Sequence, residues 1–147
     1  MLAITPNLLG GLRSLHHHST SQLFWIDAVC LNEDDENEKP EQVPLMGRIY
    51  SLAALVFVWL GPAPEDSKLA MSSLPWLSEK LNSLSFRAFS ALPTHMMRVY
   101  GLPEFNDPLW LSLFSLLDRE WFTRLWVVQE AVLARSIQVL CGSHVVT

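Results

Sequence analysis

An α/β fold, a parallel sheet with helices on both faces, is what this sequence predicts, and three apolar runs carry the prediction. "LFWIDAV" (23–29) and "LVFVWLG" (55–61) are near-continuous β-branched, aromatic and aliphatic stretches, the pattern of strands covered on both faces. "SIQVLCG" (136–142) is a third, more alternating version. Between the first two, Val43, Met46, Ile49, Tyr50 and Ala53 recur at helical spacing. Strand, helix, strand closes as a right-handed βαβ crossover.

In chain order, "MLAITPNLLGGLRSL" reads as the end of a strand, Ala3 to Thr5, entering a helix over 6–17. The strand 23–29 follows, then the acidic stretch "EDDENE" and a helix that is secure beyond Val43, because Pro40 fits a first turn but Pro44 does not. After the strand 55–61 a helix spans about 66–84. The region 85–107, with "LPTHMMRVYGLPEFNDP", is rich in turn residues and reads as an irregular excursion. Two further helices, the second over 123–134, and the strand 136–142 complete the domain.

The chain has 147 residues, enough for one core. Half of them are hydrophobic, 17% are charged and six are tryptophan, which supplies a large apolar payload and excludes disorder. A formal charge of −5 repels phosphate backbones, so no nucleic-acid partner is expected. The longest apolar stretch, Leu52 to Leu60, is far below the ~18 residues of a membrane helix. Cys30 and Cys141 give neither a disulfide framework nor metal-ligand spacing, which points to a reducing, cytoplasmic setting.

Asp27 sits inside an apolar run, where an unpaired carboxylate costs several kcal/mol. Placed at the carboxyl end of a parallel strand, it would face the loop that carries Cys30, Asn32, Glu33 and Asp34, the side on which α/β sheets build their sites. It would then either fix that loop through backbone amides or pair with a cation. "REWFTRLWVVQEAVLA" (119–134) is apolar on nearly every side yet carries Arg124, Gln129 and Glu130, so these groups need buried partners: Arg124 with Asp27, or Arg124 with Glu130. "HHH" (16–18) suits a helix C-terminus better than a metal, since adjacent histidines on a helix diverge. The acids from Glu33 to Glu41 lack the central Gly of an EF-hand loop and fit a solvated helix N-terminus. Cys30 reads as buried packing, and Trp59 and Trp126 as core. No metal site is expected.

The two unusual segments, "FWIDAVCLNEDDENEKPEQVPLMGRIYSLAALVFVWLGP" and "REWFTRLWVVQEAVLA", closely resemble the two long signature blocks of the HET domain, the heterokaryon incompatibility domain of filamentous fungi. The resemblance covers roughly 4 to 142. Trp25, Asp27, Cys30, Asn32, Tyr50, Trp59, Gly61, Arg119, Trp121, Arg124, Trp126, Gln129 and Glu130 stand among the matching positions, whereas Glu33 replaces the usual Gln. The family's N-terminal block, a strand ending in a Trp-Gly pair, is absent, so a single HET domain over 1–147, N-terminally truncated and missing its first strand, is expected.

The resemblance implies an effector of programmed cell death in self/non-self recognition between fused hyphae, working through protein partners or self-association. The family is also remotely similar to Toll/interleukin-receptor (TIR) domains, with their flavodoxin-like architecture, some of which cleave NAD. That implies an alternative, an NAD glycohydrolase with NAD as substrate, Glu130 as the catalytic carboxylate, and Asp27 and Arg124 orienting it; Asn32, Glu33 and Gln129 would help form the site. Such chemistry needs a carboxylate that holds ribose hydroxyls or stabilises an oxocarbenium-like transition state. The remaining alternative is an inactive fragment of a HET protein.

Overall fold

Glycine, proline and polar caps punctuate the chain into helices around a small sheet. The structure is a computed structural model that describes residues 4–16, 23–32, 35–65, 67–82, 93–124 and 127–147. Helix α1 (Pro6–His16) starts behind Thr5, whose Oγ1 accepts the Leu8 amide at 3.2 Å. An extended segment, 23–26, leads into a four-residue helix α2 (Asp27–Cys30). Helix α3 (Glu38–Leu52), strand β1 (Val56–Trp59) and helix α4 (Ser67–Asn82) follow. A 3₁₀ helix (Thr94–Tyr100) ends at left-handed Gly101 and precedes α5 (Pro108–Leu117), whose N-cap Asp107 accepts the Leu109 amide at 2.9 Å. Short helices α6 (Glu120–Thr123) and α7 (Val127–Leu133) lead to β2 (Ile137–Cys141) and β3 (His144–Val146).

The domain is mixed α/β with a three-stranded sheet in the order β1-β2-β3. Parallel pairing is confined to β1 and β2, with Val56 opposite Ile137 and Trp59 opposite Leu140. Strand β3, which the sequence reading did not mark, returns antiparallel to β2. Gly142 turns that hairpin with φ +55 at the first of its two loop residues, the position a type II′ turn reserves for glycine. A Cβ there would lie 2.6 Å from that of Ala63.

One face of β1 feeds the core: Val56, Val58 and Leu60 pack with Ala70, Met71 and Leu77 of α4 and with Leu109, Leu113 and Leu116 of α5. On its other side chains, Phe57 meets Phe24 edge-to-face at 5.7 Å, and the ring of Trp59 lies against Gly10 and Gly11 of α1. Trp59 is half-buried and donates Nε1–H to Asn7 Oδ1 at 3.0 Å, so it packs on α1 at the edge of the fold rather than in the core as expected; Trp126 lies outside the described residues.

Arg119 locks the carboxyl end of β1. Its Nη1 donates to the carbonyls of Leu60 and of Pro62, the latter at 3.0 Å, and its Nη2 donates to Ser67 Oγ at 3.0 Å. Gly61, between those carbonyls, has φ +94, and its own carbonyl accepts the Gly142 amide at 2.9 Å. One guanidinium thereby ties the strand to the start of α4.

Three expectations are corrected and one, the start of α3, is made definite. Residues 23–29 are not a strand: 23–26 are extended, Leu23 is fully exposed, and Asp27 opens a helix rather than ending a strand. An apolar run fits strand or buried helix equally well, and an acidic residue followed by Ala is favoured in a first helical turn, where Asp27 Oδ1 accepts the Ala28 amide at 2.8 Å. The 123–134 helix is broken at Arg124, whose φ −79 and ψ 134 are extended. Helix α3 begins at Glu38, five residues before Val43. Asp35 Oδ1 accepts the amides of Asn37 and Glu38, and Pro44 is accommodated on an exposed position. Cys30 is exposed, and Cys141 is the buried thiol. The expected excursion 85–107 contains the 3₁₀ helix; its residues up to 92 lie outside the described ones, as do His17 and His18. Among the described residues no helix is long and apolar enough to cross a membrane, and no group of three or more His, Cys, Asp or Glu could hold a metal.

Candidate functional site

Helix α3 and helix α7 pack together closely enough for Leu133 Cδ1 to lie 3.5 Å from where a Gly47 side chain would begin. That contact, with α2 and the break at Arg124, gathers the polar residues of the two unusual segments. Arg124 Nη2 lies 3.5 Å from Asp27 Oδ2, an ion pair whose side chains retain 44% and 30% of their exposure. Asp27 is therefore partnered but only partly buried, and surface pairs of this kind contribute at most about 1 kcal/mol. Of the two pairings open to Arg124, the one with Asp27 is present.

Glu130 is the buried charge of the site, only 8% exposed. Its Oε2 accepts the indole N–H of Trp121 at 2.9 Å. The break at Arg124 makes this bond possible, because it folds α6 back on α7 and brings together residues nine apart in sequence. Gln129 Oε1 is also buried and has no hydrogen-bond partner among the described residues. Asn32 is exposed in the turn before α3, with its backbone amide 3.5 Å from Glu38 Oε1. Glu33 lies outside the described residues.

Tyr50 is the site residue that sequence reasoning passed over. It was counted as part of the helical stripe of α3, yet its phenol sits among the charged groups. Burial pushes its pKa up first, and the negative charges of Glu130 and Asp27 add to this, while Arg124 opposes it. The hydroxyl therefore stays protonated. Trp25 meets the Tyr50 ring edge-to-face at 5.9 Å, and Phe122 meets Trp121 likewise at 4.9 Å. Trp25 stands two residues before Asp27, and that proximity was the available signal for it.

The arrangement is a buried carboxylate held by an indole, an ion pair toward solvent and a protonated phenol, with a further aromatic ring against the indole and another against the phenol. It can offer hydrogen-bond acceptors in a place of low dielectric. The family described as "Heterokaryon incompatibility protein (HET)" matches residues 1–130, which include every residue of this cluster. The chain is 34% identical to "Heterokaryon incompatibility protein 6, OR allele" of Neurospora crassa over 175 aligned residues that cover 99% of the chain; it spans about a quarter of that protein, 25% of its length. No solved structure matches the chain.

Proposed function

Since the chain belongs to the heterokaryon incompatibility (HET) family, we propose that it is an effector domain of fungal heterokaryon incompatibility, which triggers programmed cell death in the cytoplasm when non-self is recognised. The family match over residues 1–130 carries this reading. In it, the Asp27–Arg124 pair and the Glu130–Trp121 bond are the working part of the domain, and the signal passes through protein partners or self-association.

A second reading is a TIR-like NAD glycohydrolase. It is favoured by one observation, the buried Glu130 carboxylate fixed by Trp121 beside Trp25 and Tyr50. A carboxylate so placed can hold ribose hydroxyls or stabilise the positive charge that develops as the nicotinamide bond breaks. In this reading Asp27 and Arg124 would orient that carboxylate, and Asn32, Glu33 and Gln129 would help form the site.

Cellular NAD content, followed after induced expression in hyphae, separates the two. NAD that falls before viability does supports the hydrolase. Death with NAD unchanged supports signalling by protein contact. Hyphae that survive expression overturn both.

A further inference from the structure

A carboxylate taken out of water is ordinarily met by a cation or by several N–H donors. Glu130 is only 8% exposed, and among the described residues it has neither. Its one hydrogen bond comes from the neutral indole N–H of Trp121 to Oε2, while Oε1 accepts none and keeps contact with solvent. The guanidinium nearest in sequence is committed elsewhere, since Arg124 pairs with Asp27. Arg48, on the same helix as Tyr50, is exposed and makes no ion pair among the described residues.

We propose that Glu130 Oε1 is the receptor for an organic cation that carries N–H donors, an alkylammonium or a guanidinium, which packs against the rings of Trp121 and Tyr50. Three features select this class. The first is charge: the site holds two carboxylates, Asp27 and Glu130, against the one guanidinium of Arg124. Asp35, Glu36, Glu38 and Glu41 follow at the start of α3, where Glu38 Oε1 lies 3.5 Å from the Asn32 amide just beyond α2, and the whole chain carries −5. Such a field draws cations in and keeps anions out. The second is the unfilled acceptor, which an ammonium or guanidinium N–H satisfies and a quaternary amine does not. The third is the pair of neighbouring rings, surfaces on which an aliphatic stem or a guanidinium plane packs. A metal ion is not selected, because no three His, Cys, Asp or Glu gather among the described residues.

The inference deepens the effector reading, and rests on it for the importance of this cluster, by naming what a protein partner presents there: the head of a lysine or arginine side chain. A free amine is the other source of the same chemistry.

Binding is measured on the chain by itself, apart from killing, in proton–nitrogen NMR spectra of the indole N–H groups, with the Trp121 signal assigned by its loss in Trp121→Phe. n-Butylammonium chloride, raised to about 50 mM, is expected to move that signal saturably with a Kd in the millimolar range. Sodium chloride at equal concentration and the neutral isostere 1-pentanol should leave it in place. Glu130→Gln should weaken binding about tenfold or more. N-acetyl-lysine methylamide and N-acetyl-arginine methylamide name the source. Binding at least as tight as that of butylammonium assigns the cation to a partner's side chain, and binding of the bare amine alone assigns it to a free amine; both support the cation site. A Trp121 signal that no cation moves overturns the proposal, as does one moved equally by 1-pentanol or sodium chloride, and so does undiminished binding to a folded Glu130→Gln. If that variant does not fold, butylammonium against 1-pentanol on the unsubstituted chain decides. A chain that binds the cation but does not kill overturns the effector reading and leaves this site standing.

Discussion

Trp121→Phe removes one N–H and little else from the aromatic wall, and it leaves Glu130 Oε2 buried without the donor now 2.9 Å away. A hydrogen bond to a charged group contributes about 1.5–3 kcal/mol, and stranding a buried charged acceptor costs at least as much. The smaller ring adds about 1 kcal/mol of lost packing, so the variant should lose about 3 kcal/mol. Only the first part depends on Glu130. In a Glu130→Met background no acceptor awaits the indole, and the same Trp121→Phe change should cost only the packing part. Urea denaturation of the four proteins gives the coupling energy directly, and about 1.5–3 kcal/mol is expected. A coupling near zero would refute the reasoning: Trp121 would then be packing alone, and Glu130 would be held by something else.

Two other outcomes follow from the same geometry. The Tyr50 phenol holds its proton more tightly in the fold than its ordinary pKa of 10.0 allows, so its contribution is fully present below about pH 10 and is lost as pH rises above that value. Stability of the wild type should fall across that alkaline range, Tyr50→Phe should remove that part of the slope, and identical slopes in the two proteins would show that the phenol is not so placed. Arg119→Met takes the donor from the carbonyls of Leu60 and Pro62 and from Ser67 and should cost about 3 kcal/mol by urea denaturation, with Arg119→Lys recovering part of it; a loss under about 1 kcal/mol would mean that water replaces the guanidinium without penalty.

What could be read in the sequence was set by how local the cause was. Strand β1 and strand β2 have short apolar runs with turn residues behind them, Gly61-Pro62 and Gly142, so period and punctuation agree. Residues 23–29 have an equally apolar run, but Asp27 is the one polar residue in it: a carboxylate that accepts its neighbour's amide favours a helix start, and period alone cannot weigh that against a strand. The pairing of Arg124 with Asp27 was legible only as one of two, beside Arg124 with Glu130, because a charge in each of two apolar segments must find a partner; that the pair is part-exposed was not. Trp121 and Tyr50 were not, since the first reaches Glu130 only across a helix break and the second reaches it from another helix, and neither long-range event leaves a spacing in the chain.

The effector reading rests on the family match and places the working part of the domain around Glu130, and one measurement bears on it most directly: viability of hyphae after induced expression of Glu130→Gln beside the unsubstituted chain at matched soluble amounts. Gln keeps the size of the side chain and an oxygen for Trp121 but removes the charge. The account predicts that the unsubstituted chain kills and that Glu130→Gln, folded and equally abundant, does not. Undiminished killing by Glu130→Gln would contradict it and would move the working part of the domain away from Asp27, Arg124 and Glu130.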